Sequence, residues 1–153
     1  SIGGGLSLVR MLSYRIKNTE NSPARSFLGD FRSPRSESIS PGSIPKWRAN
    51  LMGTYSYKDW KFLATGRWIG SLNDDTNKTF NNQTRKIEAW YGLDLGVEYE
   101  FSLVGVSVNL LAGIENVTDN PPPFAAGAFA DGYDRSLYSS QGRFWNVRLR
   151  MDF

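Results

Sequence analysis

The chain has 153 residues, 18 basic and 15 acidic, a net charge of +3, 40% hydrophobic content, and neither Cys nor His. At this length one domain is the default, and the missing Cys and His exclude disulfides, Cys/His zinc sites and histidine-dependent nucleophilic catalysis. The balanced charge, with no long basic run, speaks against nucleic acid as a partner.

No apolar run reaches the about 18 residues of a transmembrane helix. The opening SIGGGLSLVR has no basic cluster followed by a long apolar region, so it does not read as a signal peptide. It reads as a chain entered partway through. Aromatic residues are abundant, with nine Phe, seven Tyr and five Trp, and their placement matters below.

The dominant period along the chain is two, which predicts strands with two unlike faces. Residues 5–17 place Leu6, Leu8, Arg10, Leu12, Tyr14 and Ile16 on one face. A long polar stretch, 18–44, follows. Residues 45–57 set Trp47, Ala49, Leu51, Gly53, Tyr55 and Tyr57 against Arg48, Asn50, Met52, Thr54 and Ser56. Lys58-Asp59 is a tight turn. Residues 60–71 set Trp60, Phe62, Ala64, Gly66 and Trp68 against Lys61, Leu63, Thr65, Arg67 and Ile69. A second polar stretch covers 72–87.

Residues 88–101 alternate Tyr91, Leu93, Leu95, Val97, Tyr99 and Phe101 with Gly92, Asp94, Gly96, Glu98 and Glu100. Residues 102–105 turn. Residues 106–117 alternate Val106, Val108, Leu110, Ala112 and Ile114 with Ser107, Asn109, Leu111, Gly113 and Glu115. A third long stretch, 118–141, is rich in Gly, Asn and Pro. The terminal GRFWNVRLRMDF carries Trp145, Val147, Leu149, Met151 and Phe153 on one face, with Asn146, Arg148, Arg150 and Asp152 between them.

Six strands of this length are long. Soluble strands average about 5–6 residues, whereas about 9–11 tilted residues cross a bilayer. Short turns alternate with long loops, and aromatic residues gather near strand ends on the apolar face. This combination predicts an all-β, antiparallel transmembrane β-barrel. A soluble β-sandwich, whose strands also alternate, is the competing fold.

The second face is polar, which suits a wet lumen. Lys61 and Arg67 are expected to pair with Asp94, Glu98 and Glu100 on the next strand, and Arg148 and Arg150 with Glu115. Arg10 breaks the pattern by falling on the apolar face. A β-bulge or snorkelling to the interface would accommodate it.

Candidate chemistry is sparse. The carboxylates Asp74-Asp75 and Glu98/Glu100 are close enough to suggest acid–base pairs, but they read as solvated charge, so no enzyme is expected. The loop SLNDDTNKTF offers oxygen ligands without the spacing of an EF-hand, so no metal is expected. Sequons at Asn77, Asn82 and Asn116 are expected by chance in an Asn-rich chain. In 118–141, Phe124, Phe129, Tyr133 and Tyr138 form an aromatic loop set that could stack on a sugar or siderophore, or pack the loop on itself. Arg25, Arg32, Arg35, Lys78, Arg85 and Lys86 lie in the long loops, where anionic lipopolysaccharide would attract them.

A family resemblance sharpens this reading. The stretch AGIENVTDNPPPF, the later GYDRSLYSSQGRFWNVRLRMDF, and the upstream IPKWRANLMGTYSYKDWKFLATGRWIGS together resemble the C-terminal strands of TonB-dependent outer-membrane receptors. Asn116, Asp119 and Pro121 fall where that family has Asn, Asp and Pro, while Val117 and Thr118 replace its usual Leu-Phe. The resemblance covers about residues 44–153.

It implies that residues 1–153 are the C-terminal part, about six strands, of a larger 22-stranded barrel in the bacterial outer membrane. The plug and TonB box would lie outside this chain. It further implies import of a siderophore, cobalamin or carbohydrate with energy from TonB, and no cofactor. Partners would be the rest of the barrel and plug, TonB, outer-membrane lipid and lipopolysaccharide, and the barrel-assembly machinery. That machinery would read Trp145, Val147, Leu149, Met151 and Phe153. The usual signal has a small residue where this chain has Arg148. A passive porin-like or structural barrel is the functional alternative, and a soluble sandwich binding module a further one.

Overall fold

A computed structural model describes residues 1–17, 19–32, 42–74, 83–128 and 131–152. Twelve strands occur in these residues. In chain order they are β1 (Ile2–Arg10), β2 (Arg15–Ile16), β3 (Arg25–Ser26), β4 (Asp30–Arg32), β5 (Gly42–Ser43) and β6 (Trp47–Tyr57), then β7 (Trp60–Ile69), β8 (Leu72–Asp74), β9 (Arg85–Ile87), β10 (Trp90–Leu103), β11 (Val106–Glu115) and β12 (Phe144–Asp152). The fold is all-β, with no helix among the described residues.

The six long strands form one antiparallel sheet in the order β1-β6-β7-β10-β11-β12. Consecutive long strands are also sheet neighbours; the tight turns require this for β6–β7 and β10–β11, while long connections join the other three pairs. The sheet does not close: β1 pairs only with β6, and β12 only with β11, among the described residues.

Register is uniform across the whole sheet. Ile2 lies opposite Tyr55, which lies opposite Phe62; that row continues through Val97, Ala112 and Val147. The next row runs Gly3, Thr54, Leu63, Gly96, Gly113, Asn146. Every strand thus turns its apolar set to one side. No second sheet covers that side among the described residues, and most of its large side chains are exposed, from Leu110 at 38% to Val147 at 74% and Ile2 at 84%, while Val108 is buried at 2%.

Buried apolar side chains gather instead at the loop end. Phe31, Leu72, Ile87 and Ala125 form one cluster, brought in by all three long connections. The framework is a four-stranded sheet, β5-β4-β8-β9, with one parallel pair, β4 and β8. Ile69, Trp90 and Tyr138 form a second cluster, where the ends of β7 and β10 meet the third loop. The loops therefore carry their own small core.

Three sequence expectations change. The first strand stops at Arg10; Leu12, Tyr14 and Ile16 continue the alternation but leave the large sheet, where the Tyr14 carbonyl accepts from Phe27 N–H at 3.0 Å. The β1–β6 pairing runs unbroken from Ile2 to Arg10, so no bulge accommodates Arg10. Its guanidinium instead sits 4.9 Å from the centre of the Trp47 ring, at the strand's end, a cation–π contact. Arg148 and Arg150 lie opposite Leu111 and Asn109 rather than Glu115, and Arg150 pairs with Asp152 at 3.1 Å.

Both tight turns hold as expected. Between β10 and β11 the turn residues Val104 and Gly105 have φ of 50° and 81°. Positive φ at both central residues matches the right-handed twist of a hairpin. Glycine tolerates it, but a β-branched residue does not. Val104 is 96% exposed, so no packing compensates. Val104→Asn is expected to stabilise the hairpin by about 1 kcal/mol. Denaturant unfolding of the protein checks this; an unchanged or lower midpoint counts against the strain.

Candidate functional site

On the polar face, glycine makes room for a built cluster. Arg67 lies opposite Gly92, which presents no side chain. The guanidinium reaches diagonally to Asp94, with one nitrogen 2.9 Å from each carboxylate oxygen. The Trp90 ring folds over Gly92; a Cβ there would sit 2.6 Å from it. Arg67 in turn lies 5.8 Å from the Trp90 ring centre. Lys61 pairs with Glu98 at 3.5 Å, the other expected cross-strand pair. Such half-exposed pairs contribute about 0–1 kcal/mol each, so they line the face more than they hold it.

The segment ENVTDN is a hydrogen-bonded stitch. Asn116 ends β11 with φ of 49°, and its backbone N–H donates to Asp94 at 2.9 Å. Its side-chain oxygen accepts from Asn120 N–H at 3.1 Å and from the Thr118 hydroxyl at 3.3 Å. Its amide donates to the Asn120 carbonyl at 3.2 Å, which also accepts from the Trp90 indole at 3.2 Å. Asn120 donates to the Tyr91 carbonyl at 2.9 Å, and Asp119 accepts from Arg143 N–H at 2.8 Å. One short turn thus ties β10, β11 and the start of β12 together. The Asn116 side chain is spent on this stitch, and the residue is buried.

Two carboxylates fasten the third loop to the small sheet. Asp74 is fully buried and accepts from Gly127 N–H at 2.8 Å. This corrects the reading of Asp74 as solvated loop charge; Asp75 lies outside the described residues. Asp134 accepts from Ser43 N–H at 3.0 Å, from Ser136 N–H at 2.9 Å and from the Ser136 hydroxyl at 2.7 Å. Burial opposes its charge most strongly, but hydrogen bonds from Ser43 and Ser136 outweigh burial and hold the carboxyl below its ordinary 3.8.

Held this way, the loop roofs a cavity of about 290 Å³ at the loop end of the polar face. Arg48 and Asn50 of β6, Arg67 of β7 and Glu115 of β11 form its wall, with Trp90 at its base. Ser136, Leu137, Tyr138, Ser139 and Gln141 form the roof. Burial pushes the Tyr138 hydroxyl up to about 12, Asp134 adds to the shift and Arg48 opposes it. That hydroxyl and the Nε of Arg67 are buried without hydrogen-bond partners.

The aromatic loop set divides. Phe124 is 69% exposed, with its ring against Gly132. Tyr133 packs against the cluster that contains buried Tyr138. Phe129 lies outside the described residues. Tyr138 meets Trp90 edge-on at 6.1 Å. Trp145, Val147, Leu149 and Met151 stand exposed on the apolar face of edge strand β12, and Phe153 lies outside the described residues. Of the basic loop residues, Lys86 pairs loosely with Glu88 at 3.9 Å, and Arg35 and Lys78 are outside the described set, as are sequons Asn77 and Asn82. Among the described residues no group of His, Cys, Asp or Glu could hold a metal ion.

Sequence reasoning missed Arg48, Asn50 and Gln141 as cavity residues. The polar alternation marked the first two as one face, but only the folded loop makes them a site.

Asn116→Ala removes the side-chain bonds of the stitch and leaves a β-carbon residue at positive φ without them. A loss of about 2–3 kcal/mol is expected, read as a lower unfolding midpoint and faster proteolysis within 131–142; an unaltered protein contradicts the stitch. For Asp134, a folded pKa below the unfolded value stabilises the loop fully above 3.8, and that contribution fades as pH falls through the lower folded pKa. Amide exchange at Ser43 and Ser136 should therefore accelerate in acid below that range, and Asp134→Asn should lack this acid dependence. Acceleration starting near neutral pH contradicts the assignment. No protein-family model, curated protein or solved structure matches this chain.

Proposed function

We propose that the six-stranded sheet is part of the wall of a transmembrane β-barrel in the bacterial outer membrane. The barrel is that of a TonB-dependent receptor, importing a siderophore, cobalamin or carbohydrate with energy from the TonB system. The observation that carries this is the uniform register, which gathers the apolar set of six long strands onto one uncovered face. In water such a face would be an extended exposed patch; in lipid it is solvated.

Aromatic rows support the same reading. Near the turns, Trp60 contacts Tyr99 at 4.4 Å, and Tyr55 and Phe62 stack at 6.1 Å. Near the loops, Trp68 lies between Ala49 and Tyr91. Between the Trp60 and Trp68 rows stand Leu51, Gly53, Ala64, Gly66, Leu93, Leu95 and Val97. Eight residues separate these rows along β7, roughly 27 Å along the strand. A tilt of about 40° reduces that to about 20 Å, near the about 25 Å apolar band of such barrels.

The unpaired edges of β1 and β12 fit the rest of a larger barrel as neighbours. An unpaired backbone in hydrocarbon costs several kcal/mol per group, so both edges need partner strands. The terminal strand with Trp145, Val147, Leu149, Met151 and Phe153 is proposed as the segment that the assembly machinery holds until that pairing is made.

On this reading the Lys58-Asp59 turn lies in the periplasm and the 116–143 loop outside the cell. In intact cells, a cysteine at Ser139 should react with an impermeant maleimide, and one at Asp59 should not. In the full-length protein, Leu95→Arg should reduce surface abundance, read by heat-modifiable gel mobility, by more than Gly96→Arg. Equal tolerance at the two neighbouring positions, or labelling at position 59 alone, would sink the proposal.

A further inference from the structure

The cavity under the third loop is lined by polar groups that are exposed and little used by the protein itself. Arg48 has no ion pair or hydrogen bond among the described residues, though it faces the field of Tyr138. Glu115, across the same cavity, accepts only a long bond from Asn146 at 3.4 Å. Arg67 is already neutralised by Asp94. The wall thus carries two guanidiniums against Glu115 and Asp94, with no formal excess of either sign. Asn50, Ser139 and Gln141 add amide and hydroxyl groups that both donate and accept.

A ligand that replaces the water here must itself donate and accept at several points. An apolar ligand would leave Arg48 and Glu115 desolvated and unpaired. An anion would meet Glu115 and compete with Asp94 for Arg67; a cation would meet Arg48. At about 290 Å³ the cavity lies at the lower limit of ligand pockets, too small for a cobalamin or a ferric siderophore complex. Vicinal hydroxyls match planar guanidinium, carboxylate and amide groups, because each hydroxyl is both donor and acceptor. Trp90 also lines the cavity, but it is buried and its ring is taken up by Gly92, Tyr138 and Arg67, so the polar groups carry the recognition.

We propose that this cavity binds one neutral pyranose unit of a saccharide, with Arg48 and Glu115 as its principal hydrogen-bonding residues. The proposal rests on the reading of the polar face as lumenal, and narrows the imported class to carbohydrate. Arg48 donates to ring hydroxyls, and Glu115 accepts from them. Asn50 and Gln141 set the orientation, and Asp134 acts at a distance by holding the roof.

The test uses the full-length protein in dimethylamine-oxide micelles, a detergent without a sugar headgroup. Glucose, galactose and mannose are titrated singly by calorimetry, with citrate as an anionic and glutamine as a zwitterionic comparator. At least one hexose should bind with a Kd of about 1 mM or tighter, and citrate and glutamine at least about tenfold more weakly. Arg48→Met and Glu115→Gln should each weaken hexose binding about tenfold, a difference of about 1.4 kcal/mol. Arg48→Lys, which keeps a donor, should lose less, and Arg150→Gln, remote on the polar face, should bind as the parent does. Heat-modifiable mobility verifies that each variant is folded.

No hexose binding, tighter binding of citrate or glutamine, or undiminished binding in folded Arg48→Met overturns the proposal. Failure of the membrane reading is separate: a protein recovered without detergent that still binds hexose through Arg48 refutes the barrel and keeps the cavity. A membrane-embedded protein that binds none keeps the barrel and refutes the cavity.

Discussion

Strand side chains alternate, so a slip of one residue between two neighbours would carry a whole apolar set to the opposite face. The rest of this structure depends on that slip being prevented five times in succession across six strands. Two devices prevent it. Hairpins at Lys58-Asp59 and Val104-Gly105 fix β6 against β7 and β10 against β11 through their length alone. Elsewhere long loops join the strands and leave register free, so side-chain contacts must choose it. Between β7 and β10 the apolar sets choose it, since a slip would carry them to the polar face, and Arg67 reaching Asp94 and Lys61 reaching Glu98 add a small preference. Between β11 and β12 it is made partly by Asp119, which takes the Arg143 N–H just before the strand starts.

The distribution of buried side chains then follows. The two faces of the large sheet are occupied by different demands, one apolar and one polar, and among the described residues neither is covered by a second sheet, although the third loop packs on the loop end of the polar face. On the apolar face Gly53 leaves open space, and Gly66 has only Leu51 at 4.0 Å beside it. Most of what the described residues bury lies in the loops, where Phe27, Phe31, Leu72 and Ile87 are nearly inaccessible, with Ile69, Trp90 and Val108 of the long strands besides. A loop region with its own core can hold a fixed shape beside a sheet whose apolar face is largely uncovered among the described residues. The strain at Val104, by contrast, sits at the opposite end, in a turn that contacts nothing and serves only to reverse the chain.

Much of the wall was legible in the sequence because its physics is local. Alternation from Trp47 to Tyr57 or from Val106 to Ile114 needs no knowledge of distant residues, and the paired charges follow from adjacency. The same rule overran the first strand: Leu12, Tyr14 and Ile16 keep the period after the chain has left the sheet, and alternation carries no stop signal. The loop core was not legible. Phe31, Leu72, Ile87 and Ala125 are separated by tens of residues in unrelated segments without a period, so nothing local marks them as neighbours. Asp74 shows the same limit in reverse, a charge in a polar stretch that is fully buried because a backbone N–H from residue 127 meets it.

The cavity stands where these two kinds of order join. Its wall residues, Arg48, Asn50, Arg67 and Glu115, are placed by the register of the long strands. Its roof is placed by the loop core through Asp134 and by the ENVTDN stitch through Asn116 and Asp119. Neither part makes a site alone, since the wall is open and the loop without the wall has nothing to cover. Asp94 links them, because its carboxylate takes both the Arg67 guanidinium from the wall and the Asn116 N–H from the stitch. A change in the loop that moved Asn116 would therefore be felt at Arg67, through one shared acceptor and without displacement of any strand.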